Sequence, residues 1–152
     1  MITENTVASD TVTINAPIQF VWDILVDFRS YEKWNSFCCK VNNEALEIGN
    51  AVEMTVDLGN GWQQQTEYVS LIEPPFKIAW AMENKPEDPV HAERFQTLES
   101  IDEHSCTYVS LDKFAGPAMA DMMQFMATAV EAGFNKCAYD LKAHAEALFT
   151  GH

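Results

Sequence analysis

Basic residues are scarce in this sequence of 152 residues. Nine lysines and arginines stand against 23 aspartates and glutamates, so the formal net charge at pH 7 is −14. Proteins that bind nucleic acid or anionic membrane surfaces need a basic patch, because they must neutralise phosphate charge. The composition therefore argues against both kinds of partner, and we expect the acidic excess to serve as a solubilising surface.

Long apolar runs and leader-like features are also missing. No run approaches the roughly 18 apolar residues that indicate a membrane-spanning helix. The first ten residues have neither the basic start nor the apolar stretch that is typical of a signal peptide. Four cysteines without such a signal favour reduced thiols. We therefore expect a cytoplasmic protein without a membrane span.

The sequence contains none of several common catalytic signatures. Its six glycines are few and mostly fall at turns, and they form neither a phosphate-binding loop nor a dinucleotide fingerprint. Cys38 and Cys39 are adjacent, so in a strand they would point to opposite faces and could not act as a pair. His91 and Glu93 have no third candidate metal ligand at a suitable spacing. We therefore expect neither a metal nor a cofactor.

The chain length and composition predict one globular domain over residues 1–152. Apolar residues make up 47% of the sequence and aromatic residues 11%, which is usual for a folded protein. A chain of this length can bury a substantial core.

Residues 117–149 predict one long helix. The segment has no internal proline, and Pro117 suits the first turn of a helix. Its apolar residues recur every three or four positions and form one stripe, which comprises Met119, Met122, Met123, Met126, Val130, Cys137, Leu141 and Leu148. A helix about 50 Å long with one apolar face needs a broad surface to cover. Gly133, near the centre of the stripe, leaves room for a closely packed neighbour or for a guest molecule.

The chain before this helix predicts mostly strands. A strand over residues 6–14 precedes two short helices over residues 17–28 and 31–34. Gly59, Asn60 and Gly61 indicate a hairpin turn. Alternation of apolar and polar residues places further strands at residues 37–41, 51–58, 62–72, 76–83, 91–101 and 106–114. Consecutive strands with short connections form an antiparallel meander, so the fold class is α+β.

Particular residues along this order match a known family. They are Ala16, Pro17, Val21, Trp22, Leu25, Asp27, Phe28, Tyr31, Trp34, Asn35 and Phe37, followed by residues 69–74, 78–80, 94–95 and 114–116. Over residues 7–149 the chain thereby resembles the START-like (SRPBCC) superfamily, and most of all its polyketide cyclase/dehydrase subgroup. The resemblance implies a helix-grip fold, in which a curved antiparallel sheet of about seven strands wraps around the C-terminal helix. It also implies a hydrophobic cavity between the sheet and that helix.

This resemblance favours binding of a hydrophobic or aromatic small molecule, lipid-like or polyketide-like, in the cavity. The side chains that we predict to line the cavity are Trp80, Met82, Phe95, Met122, Met126 and Val130. The sequence leaves open whether the protein forms a homodimer.

Two other functions remain open. The first is an enzyme of the cyclase or dehydratase type, since His91 and Glu93 share one strand face with Phe95 and would form an acid–base pair if that face looks inward. Tyr68 would then orient the ligand, while Arg94 would point outward. Relatives in the superfamily commonly carry a histidine at the position of Glu93, so the sequence departs from the pattern there, and surface positions for His91 and Glu93 are the alternative. The second is a protein-interaction module resembling the activator of Hsp90 ATPase, which would act through its outer surface.

Overall fold

The computed structural model describes residues 1–150. Within this range it contains eight strands, a 3₁₀ helix and two α-helices. In chain order they are β1 (Thr6–Ala8), β2 (Val12–Ile14), α1 (Ile18–Leu25), the 3₁₀ helix (Phe28–Lys33), β3 (Cys38–Asn42), β4 (Ala51–Asp57), β5 (Trp62–Glu73), β6 (Lys77–Ala81), β7 (His91–Asp102), β8 (Ser105–Ala115) and α2 (Met119–Thr150). None of the helices in the described range is long and apolar enough to cross a membrane.

The strands form a single antiparallel sheet. Its order is β1-β8-β7-β6-β5-β4-β3, and β2 also pairs with β8. The predicted α+β helix-grip fold is therefore confirmed, with two short helical segments between β2 and β3 and one long C-terminal helix. The predicted first strand is split in two, because the Ser9 backbone N–H donates to the Ser110 carbonyl while the Ser9 hydroxyl accepts from the Ser110 N–H.

The long helix α2 covers one side of the sheet, which we call the inner face; the opposite side is the outer face. The helix buries many small residues, which allow it to approach the sheet closely; its buried positions are Met123, Ala127, Val130, Gly133, Phe134, Cys137, Ala138, Leu141 and Ala145. Met119, Met122 and Met126 are only partly buried. Leu148 of the predicted stripe is exposed and lies in a surface groove beside Phe20.

The turn before β3 is organised by Asn35. Its side-chain oxygen accepts hydrogen bonds from the backbone N–H groups of Phe37 (3.0 Å) and Cys38 (2.8 Å). Such a local side-chain bond fixes the chain where a helix ends and a strand begins. Consequently Phe37 projects towards α2 at the position of Gly133.

The pairing register decides which side chains of the sheet face α2. Directly paired residues of antiparallel strands share a face, and Arg94 pairs with both Trp80 and Asp112. Trp80 and Arg94 are buried beneath α2. By the same rule Glu67, which pairs with the buried Val52, belongs to the inner face. The strands β5, β7 and β8 thus each carry a charged side chain towards the helix, and β6 places Trp80 between β5 and β7.

Candidate functional site

A cavity of about 50 Å³ lies between the inner face of the sheet and α2. Six of its ten lining residues are apolar, and four polar side chains lie together on the sheet side. The lining residues are Phe37, Met54, Val56, Leu58, Gln65, Glu67, Arg94, Asp112, Val130 and Phe134. Apolar walls with a few convergent polar groups are typical of small-molecule sites.

The guanidinium of Arg94 is the centre of the polar part. The residue is 5% exposed. Its Nε donates to the Ser110 hydroxyl at 2.8 Å and its Nη2 to the Cys137 sulfur at 3.8 Å. The ring of Phe134 lies against it, with its centroid 4.3 Å from Cζ. A guanidinium stays protonated even when buried, yet among residues 1–150 Arg94 forms no ion pair with a carboxylate.

Two carboxyl groups share the cavity with this cation. Burial raises the pKa of Glu67 to about 8, and the neighbouring Asp112 carboxyl acts in the same direction. Burial likewise raises the pKa of Asp112 to about 7; in both cases the charge of Arg94 opposes the shift without cancelling it. Asp112 Oδ1 is buried and has no hydrogen-bond partner among the described residues. Both groups can therefore accept or release a proton close to neutral pH.

A buried hydrogen-bond network around the Cys137 sulfur holds Arg94 in place. The Tyr108 hydroxyl donates to Gln96 Oε1 at 2.5 Å and lies 3.7 Å from the Cys137 sulfur. Asn35 Nδ2 donates to the same sulfur at 3.5 Å. Burial holds the pKa of Tyr108 well above its usual value, so its hydroxyl remains a donor. The network ties β7, β8 and α2 together around one cation.

The comparisons with known proteins agree with this architecture. Residues 6–146 match the family model described as polyketide cyclase / dehydrase and lipid transport. The chain belongs to this family. A search among curated proteins gave no match.

Several solved structures share this fold and superpose over almost the whole chain. The Zhui aromatase/cyclase from Streptomyces sp. R1128 has a TM-score of 0.72 at 22% identity, with 93% of each chain covered. A START superfamily protein from Mycobacterium smegmatis has a TM-score of 0.62 at 13% identity, covering 90% of this chain and 99% of the other. The di-domain ARO/CYC BexL from the BE-7585A biosynthetic pathway has a TM-score of 0.64 at 16% identity, covering 95% of this chain and 51% of the other. At these identities the likeness shows the shared fold.

The structure places His91, Glu93 and Tyr68 on the outer face, away from the cavity. His91 Nε2 lies 2.7 Å from the Lys85 carbonyl oxygen, and Glu93 accepts a hydrogen bond of 2.8 Å from the Ser70 hydroxyl. Tyr68 pairs with Ala81 on that face, beside a register shift between Val69 and Leu71. The inward orientation that would make these three residues an acid–base group is therefore not present.

The sequence left open which side of β7 faces α2, and the structure shows the side that carries Arg94. Ala92, Arg94, Gln96 and Leu98 are buried, so the strand turns these side chains towards α2. Phe95 lies on the outer face, where its ring centroid is 5.9 Å from Lys77 Nζ and 5.3 Å from Lys113 Nζ. The prediction that Phe95 lines the cavity followed from its hydrophobicity, whereas the aromatic surroundings and hydrogen bonds of Arg94 stabilise the opposite orientation of the strand.

The other predicted ligand-binding residues do not lie together at the cavity. Val130 lines the cavity, and Trp80 is buried beside Arg94, its ring centroid 5.7 Å from Cζ. Met122 and Met126 are half-buried against the core. Met82 is 41% exposed and lies in a separate surface pocket with Lys85 and Asp88. A role in ligand binding stays a prediction for each of them.

Sequence reasoning missed the polar residues that the structure brings together. Asp112 stands between Leu111 and Lys113, and a charged residue in such a context is typical of a protein surface. Glu67 is next to Tyr68 on β5, and the irregularity between Val69 and Leu71 hides from the sequence which of the two neighbours faces inward. The signal that would have found both is the strand register, since Glu67 pairs with Val52 and Asp112 with Arg94.

Proposed function

We propose that the protein binds a small hydrophobic or aromatic molecule between the sheet and α2. The polar end of the molecule would lie against Arg94, Glu67 and Asp112, and its apolar body against Phe37, Val130 and the other apolar walls. The observation that carries this proposal is a buried guanidinium without an ion-pair partner in the described range, beside a cavity. A buried charge without an ion-pair partner is costly, so a bound ligand gives a physical reason for keeping it.

The cavity has to widen for such a ligand to enter. Its volume of about 50 Å³ is below the roughly 150 Å³ of a dry protein cavity known to hold benzene. The residues best suited to move are Met122 and Met126 on α2 and Leu58 at the end of the β4–β5 hairpin, all partly buried. Methionine side chains adapt to irregular shapes at low cost. The first half of α2 is therefore the proposed flexible wall.

Catalysis of the cyclase or dehydratase type is the second candidate function. It is favoured by two cavity carboxyls whose pKa values are raised to about 8 and about 7. Glu67 or Asp112 would remove a proton from a carbon next to a carbonyl, and Arg94 would stabilise the oxygen on which negative charge develops. In this proposal they replace His91, Glu93 and Tyr68 as the acid–base residues.

Binding is tested by titrating the protein with aromatic and lipid-like compounds and following amide resonances by NMR. Val130→Phe should fill the cavity and weaken binding at least tenfold. Val109→Phe is the matched control, because Val109 is half-buried and pairs with Thr97 on the outer face; it should leave binding unchanged. Equal effects of the two variants, or no saturable binding by any compound, would refute the proposed site.

Catalysis is tested separately with a poly-β-carbonyl thioester as substrate. Glu67→Gln or Asp112→Asn should reduce turnover by at least 100-fold, the usual range for an acid–base residue, while substrate binding remains. Turnover that survives both substitutions would rule out these carboxyls as the acid and base.

A further inference from the structure

We propose that the ligand carries a single carboxylate, which Arg94 binds as an ion pair while Glu67 or Asp112 takes up a proton. The inference deepens the proposed function and rests on it, since it names the chemical class of the molecule in the same cavity. It concerns the charge of the ligand, which neither the fold nor the family relationship specifies.

The free donors of Arg94 suit a carboxylate. A guanidinium has five N–H groups, and the structure gives two of them partners, Ser110 Oγ for Nε and Cys137 Sγ for Nη2. The other three, on the two terminal nitrogens, have no hydrogen-bond partner among residues 1–150. Two parallel N–H groups on these terminal nitrogens match the two oxygens of a carboxylate. A neutral hydroxyl or carbonyl could satisfy only part of this donor set and none of its charge.

Arg94, Glu67 and Asp112 form a cluster whose charge balance also favours a ligand with one negative charge. Because burial raises the pKa of Glu67 to about 8 and that of Asp112 to about 7, both are largely protonated at pH 6 and the cluster carries the positive charge of Arg94. The other titratable side chains around Arg94 are Tyr31, Tyr108, Cys38 and Cys137. Burial raises the pKa of both tyrosines well above normal and that of Cys38 to about 12, so these three stay neutral.

Binding of an anion should be coupled to proton uptake. A carboxylate placed near Glu67 and Asp112 disfavours their ionised forms and raises their pKa values further. Binding at pH 7–8 would therefore draw a proton from solution. Above pH 8 both carboxyls would ionise and leave the cluster with a net negative charge, so affinity should fall by up to about tenfold per pH unit for each coupled proton.

The experiment compares 2-naphthoate with 2-naphthamide, two probes of similar shape that differ in charge. Calorimetric titrations at pH 6 and pH 9 should show naphthoate binding at least tenfold more tightly than the amide at pH 6, with the preference lost at pH 9. Titrations at pH 7.5 in phosphate and in Tris, which differ in ionisation enthalpy, should reveal proton uptake with naphthoate alone.

Variants then assign the preference to one side chain. Arg94→Met should remove the preference for naphthoate at pH 6 and retain naphthamide binding. Lys77→Met is the matched control, since Lys77 lies on the outer face against Phe95; it should keep the preference. Loss of the preference in Lys77→Met, or its survival in Arg94→Met, would overturn the inference.

The outcomes separate this inference from the proposed function. Suppose that the unmodified protein binds the two probes equally and that Val130→Phe weakens both alike. This result would overturn the inference that the ligand carries a carboxylate, and the proposed binding site would still hold. Binding of neither probe would overturn both. The comparison of probes and the proton-uptake measurement need no variant, so misfolding of Arg94→Met cannot hide the result.

Discussion

Gly133 of α2 and the ring of Phe37 face each other across the edge of the cavity. A Cβ atom added to Gly133 would lie 2.5 Å from both Cδ1 and Cε1 of that ring. The ring itself is confined by Phe134, with centroids 5.7 Å apart, and by Arg94, whose Cζ is 5.6 Å from the ring centroid. The glycine therefore allows the aromatic wall of the cavity to pack directly on the helix.

Gly133→Ala should lower the free energy of unfolding. Overpacking of a filled core costs about 1–3 kcal/mol, whereas replacing glycine by alanine inside a helix returns about 1 kcal/mol. We expect a net loss of about 1 kcal/mol, measured by urea denaturation. In a Phe37→Leu background the same substitution should be neutral or stabilising, and a double-mutant cycle gives the coupling. A stabilised single variant would show that the Phe37 ring moves aside freely.

Protein stability should fall as the pH rises from about 4 to 8. The carboxyls of Glu67 and Asp112 have pKa values of about 8 and about 7 in the folded protein, against about 4 in unfolded chains. Between these values the folded state holds more protons than the unfolded state, so raising the pH favours unfolding. Their contribution is fully present below pH 4 and is lost by about pH 8.

Glu67→Gln and Asp112→Asn should remove part of this pH dependence. Each variant should match the unmodified protein near pH 4 and exceed its free energy of unfolding at pH 8 by on the order of 2–4 kcal/mol. Glu93→Gln is the control, because Glu93 bonds to Ser70 on the outer face. Urea unfolding curves at pH 4, 6 and 8 measure the free energy of unfolding of the unmodified protein and the three variants. Parallel pH profiles for all four proteins would contradict the burial of these carboxyls.

The fold was predictable from the sequence because its signals are local. Alternation fixed most strand positions, Gly59 to Gly61 indicated the hairpin, and a proline-free segment indicated α2. The site was less predictable, because strand orientation depends on pairing across the sheet. On β7 a phenylalanine between an arginine and a glutamine suggests that the phenylalanine is inside, yet Arg94 and Gln96 are buried and Phe95 is not.

Ser110→Ala should destabilise the protein by about 1–3 kcal/mol. The substitution leaves Arg94 Nε, a buried charged donor, without its acceptor, and an unsatisfied buried group costs that amount. Ser70→Ala is the matched control, because Ser70 donates to Glu93 on the half-buried outer face and should cost less than about 1 kcal/mol. Thermal or urea unfolding measures both. A smaller loss for Ser110→Ala than for Ser70→Ala would contradict the role of Ser110 in holding Arg94.

Glu67 and Glu93 lie on opposite faces of the sheet, so substitutions at the two positions show which face holds the functional site. Both are glutamates of the central strands, but Glu67 lines the cavity and Glu93 is on the outer face. Glu93→Gln, His91→Ala and Tyr68→Phe should therefore leave the affinity for naphthoate within twofold of the unmodified protein at every pH. Glu67→Gln should keep the affinity at pH 6 and lose much of the decline above pH 8, because an amide cannot ionise. Calorimetric titrations from pH 6 to 9 test this contrast. If the pH dependence followed Glu93 or His91 instead, the functional site would have to lie on the outer face, and the cavity beneath α2 would be only a packing defect.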